Sequence, residues 1–121
     1  MRDGDLTDRT KLFALRVIRL YVALPKSVEA QVLGKQLLRA GTSVGAHYRE
    51  AKRAKSNADF ISKIEGALQE LDETAYWLEL IEESGIIPVE RLSSLRGEAE
   101  ELTKILVSIV KKVKQRSKVV R

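Results

Sequence analysis

Apolar residues recur along this chain at alternating spacings of three and four, in four separate stretches. The first carries Leu6, Phe13, Val17, Leu20 and Leu24, and the second Leu33, Leu37, Ala40, Val44, His47, Ala51 and Ala54. The third carries Phe60, Ile64, Ala67, Leu71, Thr74, Leu78 and Ile81, and the fourth Leu92, Leu95, Ala99, Leu102, Leu106, Ile109 and Val113. A 3.6-residue period gathers each set on one helix face, so the spacing predicts helices over about 7–24, 27–54, 57–84 and 89–116. No period-two alternation competes. The breaks fall where they should: Pro25 and Pro88 are the two prolines, and neither can sit inside a helix without removing a backbone bond. Thr7 or Thr10 is a candidate cap for the first helix. In SNAD, Ser56 is positioned as an N-cap with Asp59 at N3, and Gly85 after ELIEES fits a left-handed C′ position.

Four stripes joined by short connections specify an all-α fold, an antiparallel up-down-up-down four-helix bundle. The bundle is expected over residues 1–116, with a basic tail over 117–121. Leu12, Ile18, Tyr21, Tyr76, Trp77, Leu80, Ile105 and Val110 flank or fall outside the stripes. An outer apolar patch of that kind favours self-association, so a homo-oligomer is expected.

Composition narrows the chemistry. The chain has 121 residues, the length of one domain, and no cysteine, which removes disulfides and thiolate metal sites. Its N-terminus is polar and acidic, unlike a secretory signal, and no apolar run approaches the ~20 residues that span a bilayer. A cytoplasmic protein without membrane contact is expected. The net charge of +5 conceals segregation. Residues 1–55 hold 12 basic and 5 acidic side chains, residues 56–110 hold 4 and 12, and the segment KKVKQRSKVVR holds 6 basic and none acidic.

Three features of GTSVGAHYREAKRAK, residues 41–55, invite a chemical reading. Gly41 and Gly45 do not form a phosphate loop, because neither GxxxxGK[ST] nor GxGxxG after a strand is present. With Gly34 they line a second face of the second helix, at a propensity cost of ~1 kcal/mol each, which points to close approach of a neighbouring helix. His47, the one histidine, cannot build a histidine-rich zinc site, and no Glu-x-x-His pair of the di-iron bundle type occurs. It is expected to sit half-buried in a structural polar core with Glu50, Glu70 and Glu73, with Glu70 or Glu73 as its partner. The basic run Arg49, Lys52, Arg53 and Lys55 closes the helix, where cations favour the macrodipole. Together with Lys111, Lys112, Lys114, Arg116, Lys118 and Arg121 it forms a candidate nucleic-acid footprint, phosphate-directed and weakly sequence-specific.

The segments SVGAHYREA (43–51), ADFISKI (58–64) and ELDETAYWLELI (70–81) resemble the four-helix bundle proteins encoded by intervening sequences of bacterial 23S ribosomal RNA genes. The similarity covers nearly the whole chain, and His47 stands where that family usually carries asparagine. The resemblance implies a small bundle assembled into a ring, a homopentamer. It also implies a distant similarity to the accessory variability protein of diversity-generating retroelements, a basic pentameric bundle that engages nucleic acid and a reverse transcriptase. The function expected is non-catalytic binding of RNA or DNA through clustered Lys and Arg. The alternative is a protein-interaction scaffold that uses the acidic helices, with Glu79, Glu82 and Glu83, and the outer aromatic patch. No enzyme, metal or cofactor is expected, because no nucleophile, oxyanion donor or metal cage accompanies the carboxylates.

Overall fold

The computed structural model describes residues 3–119, which form four α-helices and no strand. They are α1 (Asp3–Ala23), α2 (Val28–Lys52), α3 (Asn57–Glu83) and α4 (Ser93–Val119), with a 3-10 turn at Val89–Arg91 before α4. Arg121 lies outside the described residues, as does the side chain of Lys118.

The helix ends follow local chemistry. The Ser27 hydroxyl accepts from the Ala30 N–H at 3.4 Å and caps α2. The Ser56 hydroxyl accepts from the Asp59 N–H at 3.0 Å and caps α3. The Asp59 carboxylate accepts in return from the Lys55 N–H at 3.4 Å, one residue before the reciprocal partner of a standard capping box. At the other end of α3, Gly85 has φ +75°, the one positive φ among the described residues. Ile86 N–H reaches back to the Ile81 carbonyl at 3.3 Å, and Gly85 N–H bonds the Glu82 carbonyl at 3.1 Å. That is a Schellman closure, which favours glycine at the left-handed position.

Three boundaries differ by three or four residues from the sequence expectation. Thr7 and Thr10 do not cap α1, because the helix already starts at Asp3. Thr10 is fully buried inside it and donates its hydroxyl to the Leu6 carbonyl at 2.7 Å. The fourth helix begins at Ser93 rather than near 89, because Pro88 leads into the short 3-10 turn that brings both Ile87 and Leu92 into the core. At its far end α4 runs on to Val119.

The core is built from the predicted stripes. Phe13, Val17, Leu37, Val44, Ile64, Leu71, Leu78, Ile81, Leu92, Leu102 and Leu106 are fully buried. Val110, rather than Ile109, continues the α4 stripe into the core, with Ile109 only partly covered. The α2 helix is buried on two sides. One faces α3; the other is the glycine face, against α1. A Cβ built on Gly41 would lie 2.7 Å from Val17 Cγ2, one on Gly34 2.5 Å from Leu24 Cδ1, and one on Gly45 3.1 Å from Thr10 Oγ1. The close approach read from the glycine spacing is therefore what the helices do.

The seam between α1 and α4 adds polar contacts to the apolar core they share. Arg9 forks onto Glu98 (Nε–Oε2 2.6 Å, Nη2–Oε1 2.9 Å), and Arg16 donates to the Ser94 hydroxyl at 2.9 Å. The hydrogen bond and charge of Arg9 hold the Glu98 carboxyl below its ordinary range, against the opposing effect of burial.

Candidate nucleic-acid interface

At one end of the molecule the start of α1, the last turns of α2, the first turn of α3 and the second half of α4 surround an open groove of about 850 Å³. Its floor is apolar, with buried Leu6, Tyr48, Ala51 and Val113 and the partly covered Phe60, Ile105 and Ile109. Its rim carries Lys52 and Lys55 from the α2 end and Lys104, Lys112 and Arg116 from α4. No carboxylate lines it among the described residues. Two hydrogen bonds tie the rim together: Lys52 Nζ donates to the Thr7 hydroxyl at 3.1 Å, and Asn57 Nδ2 to the Ser117 hydroxyl at 3.0 Å.

The structure thus brings part of each predicted basic cluster to one place. Lys52, Lys55, Lys112 and Arg116 share the groove, although the clusters lie far apart in sequence. Arg49, Arg53, Lys111 and Lys114 do not line it. All four are exposed, and Lys114 pairs with Glu65 at 3.5 Å. Arg49 and Lys52 occupy the last turn of α2 and Arg53 its C-cap, where positive charge also offsets the macrodipole. Helical periodicity makes this division, since Lys104, Lys112 and Arg116 fall at multiples of four residues on one face of α4. Composition alone treats residues 111–121 as a block and passes over Lys104, which also pairs with Glu101 at 3.7 Å. The i,i+4 spacing was the available signal for Lys104. The apolar floor had none, because it depends on how three other helices end.

The histidine cluster lies elsewhere, between α2 and α3. The half-buried His47 approaches Glu50 (Nδ1–Oε1 3.4 Å) and Glu70 (Nε2–Oε2 3.8 Å). Neither His47 Nδ1 nor Glu70 Oε1 has a hydrogen-bond partner among the described residues. Glu73 turns instead to Arg39, at 3.1 Å. The imidazole packs on Gly66, where a Cβ would stand 3.1 Å from Nδ1. Glycine on α3 thus makes room for the ring. Among the described residues no group of three His, Asp or Glu side chains is arranged to hold a metal ion, and no helix is long and apolar enough to cross a membrane.

The family described as 23S rRNA-intervening sequence protein matches residues 2–108. Among solved structures, the chain is similar to a protein of unknown function from the S23 ribosomal protein family of Bacteroides thetaiotaomicron. The two share 43% sequence identity with a TM-score of 0.86, over 92% of this chain and 99% of the other. No curated protein matches the chain significantly.

Proposed function

The chain belongs to the 23S rRNA-intervening sequence protein family, and on that premise we propose a non-catalytic, homo-oligomeric bundle that binds RNA or DNA with little sequence specificity. One observation carries the reading: part of each basic cluster, joined by Lys104, meets in a single groove with five cations and no carboxylate on its lining among the described residues. Like charges held together raise each other's energy, and a polyanion relieves that cost while releasing its own counterions. The up-down-up-down arrangement belongs to the same proposal. It is supported by pairings that descend on one helix as they ascend on the next: Thr10 with Gly45 and Leu24 with Gly34, then Arg39 with Glu73 and His47 with Gly66. Assembly as a pentamer in the cytoplasm is part of the proposal too. A ring would multiply the groove and raise the effective concentration of sites along one strand.

Anisotropy titrations of labelled RNA and DNA at several salt concentrations test the reading. Five engaged cations give a slope of log K against log salt of roughly −3.5 to −4.5, from single strand to duplex. Lys112→Glu with Arg116→Glu should flatten that slope and weaken binding at least tenfold. Both residues are exposed, so the fold tolerates the change. Truncation is the poorer tool, because removing residues 111–121 takes buried Val113 from the core. Salt-independent binding, or none at low salt, would retire the proposal. Attention would then pass to a protein partner at exposed Tyr76, which packs against Trp77 with ring centroids 5.1 Å apart and shares α3 with the acidic Glu79, Glu82 and Glu83.

A further inference from the structure

Resting on the nucleic-acid reading above, we propose that the groove takes an unpaired strand and seats its bases on the apolar floor beside Phe60. A phosphate-only contact needs a cationic surface and nothing beneath it. This groove has a floor. Phe60, Ile105 and Ile109 line it while remaining only partly covered by the rest of the chain, and its volume of about 850 Å³ lies in the ~300–1,000 Å³ range of sites that enclose organic ligands.

The rim has direction as well as charge. Lys104, Lys112 and Arg116 climb one face of α4 over ~18 Å at 1.5 Å per residue, and Lys52 and Lys55 stand across from them. A line of cations beside an apolar trough follows a backbone that carries charge on one edge and flat apolar groups on the other. A duplex offers only the charged edge, since its bases are stacked inside. An unpaired nucleotide offers both, and stacking on an aromatic side chain tolerates any base, in keeping with weak sequence preference.

The test uses the full chain and four labelled probes at one salt concentration: an oligothymidylate, an abasic strand of equal length, a blunt hairpin duplex, and an oligoglutamate. The thymidylate should bind roughly 5- to 150-fold more tightly than the abasic strand, the factor that one stacked base contributes. Phe60→Leu keeps apolar volume and should erase most of that difference while leaving the salt slope unchanged. Equal, salt-dependent binding of strand, abasic strand and duplex would overturn the seating of bases and leave the phosphate reading intact. Oligoglutamate binding as tightly as thymidylate would overturn it as well, in favour of a site for acidic proteins. No binding of any nucleic acid would remove both.

Discussion

Gly41 shows how much can depend on a single missing methyl group. Its hydrogen faces Val17 across the α1–α2 contact, and a Cβ there would meet Val17 Cγ2 at 2.7 Å and Cγ1 at 2.9 Å. A β-branched side chain is stiff at χ1, and Val17 is fully buried, so it has nowhere to turn. Gly41→Ala gains ~1 kcal/mol of helix propensity but overpacks the contact at a cost of ~1–3 kcal/mol. Chemical denaturation should therefore show a net loss of up to about 2 kcal/mol, with the midpoint lowered and the slope unchanged. Gly97→Ala is the control. Gly97 is exposed in α4 with nothing within 4 Å of an added methyl, and that change should stabilise by ~0.5–1 kcal/mol. A Gly41→Ala as stabilising as Gly97→Ala would mean the helices can part at no cost. The purpose of this glycine face was legible in the sequence, because spacings of seven and four put Gly34, Gly41 and Gly45 on one side of a helix. The residues opposite them were not, since Val17 and Thr10 are matched to the glycines only by the register of two packed helices.

Between elements, the α1–α4 seam adds a polar clamp to the shared apolar core, as Arg39–Glu73 does between α2 and α3 and Arg96–Glu82 between α3 and α4. The forked Arg9–Glu98 pair has side chains 31% and 18% exposed, so solvent screens it in part and its contribution is about 1 kcal/mol. The sign of its pH dependence follows from Glu98. Its folded pKa lies below the ordinary value of 4.5, so the folded state holds its proton less tightly than the unfolded chain does. The stabilisation is fully present above that ordinary value. It fades as pH falls below 4.5 and is gone once pH passes the depressed folded value. Glu98→Gln should accordingly be less stable than the parent at neutral pH, and the gap in thermal midpoint should close on acidification through that window. A gap of constant size would assign the loss to packing instead. The helices themselves were readable from Pro25, Ser56, Gly85 and Pro88, because each acts on its immediate neighbours. This clamp was not: its partners are 89 residues apart, and dozens of Arg–Glu pairings were available to the sequence. The start of α1 was misread for a related reason. A buried threonine that bonds back to the preceding turn looks in sequence like a cap.

At the scale of the molecule, the basic groove and the exposed apolar face of α1 sit on different parts of the bundle, and each bears on a different part of the proposed function. The convergence of part of each basic cluster could not be read from composition, which located the positive charge without showing that Lys52 and Arg116 share a groove. Self-association has its own surface. Leu12, Leu15, Ile18 and Val22 are 52%, 39%, 39% and 71% exposed, and their spacing puts them on the face of α1 turned away from its core stripe. A closed ring needs two different surfaces, one to give and one to receive. The second is at hand in an apolar groove of about 600 Å³ between α3 and α4, lined by Leu68, Ala75 and Val107. If α1 of one copy packs there on the next, Leu12→Glu with Val22→Glu should reduce the particle to the 13.6 kDa monomer in light scattering. Val107→Glu should do the same from the receiving side. Neither change removes a buried side chain, so both variants should keep the helical content of the parent. Mixing the two is the sharper measurement. In a head-to-tail ring each variant retains one intact surface, so a mixture should pair into dimers that neither variant forms alone. A Val107→Glu variant that keeps the parent mass while the α1 variant is monomeric would point to a two-fold contact in which α1 meets α1. Two variants that keep the parent mass would remove both surfaces from the assembly.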